Sequence, residues 1–199
     1  MDMSNLDWTG YFDAQAGRRV RSVLTDTLAR RGMPEPGIAI DLGCGEGTET
    51  RYLLHNGWRV LAYDADPAAG ARVRAGLDAD ELGRFTFTAS RFEDLGVLPP
   101  ADLVLSSFAL PFCHPEAFPA LWASIRSALA PGAWFAGEMF GPHDEWADNA
   151  TMNFHDRANV ESLLTGLEVA SLVEEDRPGQ SFSGPKRWHV FHISARRPA

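Results

Sequence analysis

Apolar positions along this chain switch repeatedly between two periods, short strand-like runs and stripes at helical spacing. Val20, Val23, Leu24, Thr27 and Leu28 share one helical face, and Gly32 and Pro34 end that helix. Residues 37–42 read as the first strand. A helix follows from about Thr48 to Asn56 and stops at Gly57. Trp58 to Tyr63 reads as the second strand, ending at Asp64. Pro67 opens a helix with Val73 and Leu77 on its inner side, proline being favoured at a first helical position. Arg84 to Ala89 alternates apolar and polar residues and predicts a third strand. Asp102 to Ser106 is the fourth, its Leu103, Val104 and Leu105 continuous, as burial on both faces requires.

Pro115 opens the next helix, with the stripe Phe118, Leu121, Trp122, Ile125 and Leu129, and Pro131-Gly132 stops it. Ala133 to Phe140 is a fifth strand, and Val160, Leu163 and Leu164 mark one more helix. Two final strands, about 167–174 and 186–195, follow with no helix between them, joined by a loop over 177–185. Strands alternating with helices predict an α/β fold with a doubly wound, mostly parallel sheet and helices on both faces. The last pair makes one strand antiparallel. Residues 1–34 form an N-terminal helical lid or cap segment, and 35–199 the main domain. Trp8, Tyr11 and Phe12 share one helical face of that segment, available either to dock on the core or to cover a site.

Composition narrows the function. At 199 residues, with 45% apolar and 23% charged positions, one globular domain is expected. Acidic residues outnumber basic ones 27 to 18, a net charge of -9, which argues against a nucleic-acid partner. No apolar run is long enough to span a bilayer, and the start Met-Asp-Met-Ser-Asn is no secretory signal. Cys44 and Cys113 give neither a disulfide framework nor a zinc spacing. The expected setting is the cytoplasm.

The candidate chemistry begins at Ile38-Ala-Ile-Asp-Leu-Gly-Cys-Gly-Glu-Gly-Thr48, a buried strand entering a glycine turn. Gly43, Gly45 and Gly47 let the turn close tightly and a ligand approach bare backbone. A dinucleotide site wants G-x-G-x-x-G, and Thr48 stands where the third glycine belongs. Asp41 and Glu46 flank the turn, repelling a pyrophosphate and suiting a cation. Asp64 lies 21 residues past Gly43, where a carboxylate accepts ribose hydroxyls. The other reading of Asp64 is a helix N-cap, with Asp66 competing for that role.

These residues, with Val60-Leu-Ala-Tyr-Asp-Ala65, resemble class I S-adenosylmethionine-dependent methyltransferases over about residues 35–195. The wording is most similar to bacterial small-molecule enzymes, the tellurite-resistance type among them. The resemblance implies a seven-stranded sheet, its last strand inserted antiparallel. It implies S-adenosylmethionine as methyl donor, S-adenosylhomocysteine as product and a small-molecule acceptor, in a monomer or homodimer. Carried over by position, Asp41 acts on the methionine ammonium, and Gly43, Cys44 and Gly45 give the backbone approach. Asp64 holds the ribose and Ala65 packs on adenine. Arg91 stands where the family has an acid for the adenine amino group, leaving the Phe92 N–H, Glu93 or Asp94 to serve adenine. Ser106 and Ser107 sit where the family contacts the methionine moiety. Arg18 could clasp the methionine carboxylate or simply end a surface helix.

An open α/β sheet binds its ligand beyond the carboxyl ends of its strands. The segments after strands four and five therefore supply His114, His143 and Glu138 as candidate catalytic residues. No metal is expected, because His189 and His192 alternate to opposite faces of a strand. Two alternatives use other chemistry: another C–S bond of the same donor breaks, or the fold is a non-catalytic binding module.

Overall fold

The computed structural model describes residues 8–15, 17–32 and 35–199. Pro34 and the side chains of Trp8 and Phe12, named above, lie outside the described residues. The chain runs α1 (Trp8–Gln15), α2 (Ser22–Arg31), β1 (Ile38–Leu42), α3 (Thr48–His55), β2 (Arg59–Asp64), α4 (Ala69–Arg74) and α5 (Ala79–Arg84). It continues through β3 (Phe85–Ala89), β4 (Ala101–Ser106), α6 (Phe118–Ala128), β5 (Leu129–Phe140), α7 (Arg157–Leu163), β6 (Glu168–Ser181) and β7 (Gly184–Arg196). The seven strands form one sheet in the order β3-β2-β1-β4-β5-β7-β6. β7 pairs antiparallel with both β5 and β6, and the other pairings are parallel. This is the doubly wound sheet expected, with its final strand inserted against the others.

Alternation along each strand builds two cores. Ile40, Leu42, Val104, Phe135 and Ile193 pack on one face with Leu121 and Ile125 of α6 and Val160 of α7. Ala39, Leu103, Leu105, Trp134 and Ala136 pack on the other with Leu24 of α2, Leu53 of α3 and Val73 of α4. Asp41 follows the parity of Ala39, so its carboxylate falls among the second set. Thr27 and Ser194 meet at 2.9 Å, a buried polar link that docks α2 on β7. No helix among the described residues is long and apolar enough to cross a membrane.

Three elements differ from expectation. α6 ends at Ala128, and Pro131-Gly132 lies inside β5, not at the helix stop. The pairing with β4 shifts register there, between Ala101 and Leu103, and such an irregularity tolerates a residue without an N–H. Residues 177–185 are mostly paired strand, closing at Ser181 opposite Gly184. Pro178 is accommodated because β6 is the sheet edge. Leu77 lies between two short helices; α5 is started by Asp78, which accepts from the Glu81 N–H while Glu81 accepts from its own.

Candidate active site

The glycine turn sits between β1 and α3. Gly43 and Gly47 have φ of 79° and 85°, which disfavours side chains there. A Cβ at Gly43 would stand 2.2 Å from that of Ala109, so the turn lies against the segment following β4. The Gly43 and Cys44 N–H groups donate to the Tyr63 carbonyl, at 2.8 and 3.1 Å. Asp64, at the end of β2, accepts from the Gly45 N–H at 2.8 Å and from the Asp66 N–H at 2.9 Å. Asp66 in turn accepts from the Ala68 N–H and pairs with Arg72. Asp66 thus takes the capping work, and Asp64 braces the glycine turn. Burial raises the Asp64 pKa.

Four carboxylates surround this turn: Asp41, Glu46, Glu49 and Asp64. Asp41 is 2% exposed and accepts from the Thr50 hydroxyl at 2.6 Å. Burial pushes its pKa up to about 7, helped by the neighbouring Glu49, Asp64 and Glu46. Arg18 binds Glu49 through both terminal nitrogens and ion-pairs with Glu46 at 3.1 Å, without hydrogen-bond geometry. The Arg21 N–H adds a third bond to Glu49, at 3.1 Å. Arg18, read from sequence as either a clasp on the methionine carboxylate or the end of a surface helix, has its guanidinium on buried acids. It ties the N-terminal segment to α3.

After β3, Arg91 is exposed and pairs with Glu93, while Phe92 packs partly buried on the core. Glu93 also accepts from the His114 N–H at 2.9 Å, joining the turn after β3 to the one after β4. Ala65 is exposed beyond β2. Ser106 is fully buried and donates to the Leu42 carbonyl at 3.1 Å, so it joins β4 to β1 rather than facing a ligand. Ser107 Oγ is buried and has no hydrogen-bond partner among the described residues.

A cavity of about 750 Å³ is lined in part by Phe108, whose neighbour Ala109 abuts the glycine turn. Tyr11, Arg19 and Arg21 of the N-terminal segment, Phe108 and Phe112 after β4, Trp146 after β5, and residues of β5 and the β6–β7 hairpin line the cavity. Tyr11 meets Phe182 of the β6–β7 hairpin edge-on at 5.8 Å, so the N-terminal segment and hairpin tip touch across it. Arg21 lies over the Phe108 ring at 4.3 Å. Glu138 lines the cavity yet is 1% exposed, and accepts from the Phe108 N–H at 3.1 Å.

His192, also in the wall, stands 3.5 Å from Glu138 and 3.6 Å from Glu175. The adjacent Glu138 carboxylate raises its pKa despite burial. Beside the cavity's aromatic side, Lys186 is buried against Asp144 at 2.7 Å. Its ammonium lies 3.2, 4.0 and 4.6 Å from the ring centres of Trp146, Trp188 and Phe140.

Of the expected catalytic residues, only Glu138 reaches this cavity. The His114 ring is half-buried, lies outside the cavity lining and accepts from the Glu116 N–H. His143 lies on the other side of the hairpin, bonded to Asp176 and stacked on His189 at 4.8 Å. Both depart from expectation because their loops turn the rings outward while sending Phe108, Phe112 and Trp146 inward. Among the described residues His143, Asp176 and His189 group their ligand atoms within 4.8 Å. His189 already accepts from the His143 N–H and bonds Glu174, and Asp176 takes two bonds from Arg187. That leaves His189 no free lone pair for a metal.

Sequence reasoning missed His192, Glu175 and Trp188. The alternation that set His189 and His192 on opposite faces was the available signal. It gave no indication that the His192 face closes a cavity, which depends on the pairing Glu138↔His192.

Residues 39–132 match the family described as "Methyltransferase domain". Trans-aconitate 2-methyltransferase of Mycobacterium sp. (strain KMS) is 36% identical over 158 residues, 75% of this chain and 57% of that protein. The chain spans less than two thirds of the length of the curated relatives it matches. TehB of Haemophilus influenzae has the same fold, with a TM-score of 0.72 over 96% of this chain and 67% of that one, at 14% identity. The 1,6-didemethyltoxoflavin-N1-methyltransferase of Burkholderia thailandensis gives 0.67 over 96% and 85%, at 22% identity. Residues 39–132, which include the acid-lined glycine turn, are thus similar to the methyltransferase-domain family, and the chain shares its fold with these two solved structures.

Proposed function

We propose that this protein transfers the methyl group of S-adenosylmethionine to a small molecule held in the cavity beside the glycine turn. One observation carries the reading: four carboxylates crowd the turn, and Arg18 is the cation paired with two of them. A pyrophosphate would meet repulsion there, whereas a ligand bearing a sulfonium and an ammonium is attracted.

The residues fit that ligand. Gly43, Cys44 and Gly45 offer close backbone, and Asp41 keeps one carboxylate oxygen beyond the Thr50 bond. Asp64 takes the ribose hydroxyls, Ala65 and Phe92 flank the adenine, and the Ser107 hydroxyl gains a partner in the methionine moiety. Arg91 contributes at the exposed edge of the adenine site, and Ser106 acts by holding β4 against β1. When bound, the donor supplies an electrophilic methyl group. The chain's own work is to align the acceptor, exclude water and receive a proton.

The cavity suits a small acceptor: its volume is that of an ordinary ligand site, and Phe108, Phe140 and Trp188 offer flat apolar surface. The described part of the N-terminal segment acts as its lid through Tyr11. The protein works in the cytoplasm, as a monomer or homodimer, without nucleic acid or membrane.

Calorimetry tests the donor assignment. S-adenosylhomocysteine should bind, and NAD should not. Asp64→Ala should weaken binding roughly 100-fold, the loss of two hydrogen bonds to a charged group. Binding of NAD alone, or unchanged affinity in the variant, overturns the reading.

A further inference from the structure

We propose that His192 is the base of the acceptor site, and that the acceptor is a planar molecule methylated at an initially protonated nitrogen or oxygen. This rests on the methyl-transfer reading and extends it to substrate class. The first support is position. His192 lies on β7, on the strand face that contributes Trp188 and Val190 to the cavity wall. Phe108 meets it edge-on at 6.2 Å, and Phe108, Phe140 and Trp188 line the same cavity, apolar ring surface on which a planar acceptor can pack.

The second support is how the imidazole is held. Glu138 reaches it from β5, and is itself anchored by the Phe108 N–H. Glu175 reaches it from β6, and is paired with Arg177. Arg21, also in the cavity wall, lies over the Phe108 ring. A base oriented by a buried, anchored carboxylate is the arrangement that activates a reacting group. Nε2 faces Glu175 at 3.6 Å, longer than an ordinary hydrogen bond, and because His192 lines the cavity an acceptor group can replace that contact. The carboxylates also strengthen the imidazole as a base.

The step balances. The acceptor's N–H or O–H proton passes to His192 Nε2, and the freed lone pair bonds the methyl carbon. The electrons of the broken carbon–sulfur bond stay on sulfur and neutralise the sulfonium. The imidazolium then returns its proton to water.

4-Nitrophenol is a suitable probe, because its anion absorbs visible light and its neutral form does not. Titrated into protein saturated with S-adenosylhomocysteine, below the probe's own pKa, it should bind as the anion with His192 protonated. His192→Gln should reduce the bound-anion band at least tenfold. Glu138→Gln should reduce it less, since that change weakens the base without removing it. S-adenosylhomocysteine titration of each variant shows that it is folded. An equal anion band in His192→Gln, or no uptake of the probe at millimolar concentration by the wild type, overturns the proposal. Failure of the wild type to bind S-adenosylhomocysteine strikes the methyl-transfer reading instead.

Discussion

Lys186 and Asp144 form a buried ion pair, 2.7 Å apart, inside a ring of aromatic side chains. The Lys186 side chain is 1% exposed, and burial lowers its pKa to about 8. The pair links β7 to the segment after β5, where Asp144 also accepts from the Trp146 N–H at 3.0 Å. The cation faces Trp146, Trp188 and Phe140, which also line the cavity, so the pair packs against three of its wall residues.

Removing one partner leaves the other charge buried. Lys186→Met should therefore destabilise the protein by about 3–5 kcal/mol in urea denaturation. Adding Asp144→Asn to that variant should recover part of the loss, because the orphaned charge is gone. A single variant within about 1 kcal/mol of wild type would show that the pair is solvated in solution.

Asp41 stores the opposite kind of energy. Its folded pKa of about 7 stands above the unfolded value of 3.8. Between those values the folded state binds more protons, so stability falls as pH rises from about 4 to about 7. Above that window the ionised group costs up to about 4 kcal/mol. Asp41→Asn should raise the ligand-free melting temperature at pH 8, flatten this part of the pH profile and weaken S-adenosylhomocysteine binding. Unchanged stability at pH 8 would contradict the raised pKa.

Arg18 offers a choice between two roles. As a brace on Glu46 and Glu49, its loss in Arg18→Met should lower ligand-free stability by about 1–3 kcal/mol, a moderate cost because the arginine keeps some solvent contact. Hydrogen exchange at the start of α3 should quicken. A large loss of S-adenosylhomocysteine affinity with unchanged ligand-free stability would restore the clasp on the methionine carboxylate.

The glycine turn and the acids around it were largely legible. Gly43, Gly45, Asp41 and Asp64 lie close in sequence, on two successive strand ends. Their signals are local: turn chemistry, strand period and a fixed separation. The cavity was less so. Phe108, Phe112 and Trp146 line the cavity, while the direction of His114 and His143 depends on hydrogen bonds to Glu93, Glu116 and Asp176. No local pattern encodes those partners.

Two local signals were also misread. The Asp78–Glu81 capping box was present in the sequence, and Pro131-Gly132 had a strand reading as well as a helix-stop reading. The second could be decided only by the pairing of β5.

By itself, the sequence determined the layered α/β class, the place of the glycine turn and the acidic character around it, because neighbouring residues carry those properties. Tertiary structure alone decided that Glu138 would face His192, that Arg18 would close on Glu49, and that Lys186 would sit among aromatic rings. Each joins chain segments far apart in sequence. Their partners are selected by strand register and by the need to neutralise buried charge, which local periodicity does not record.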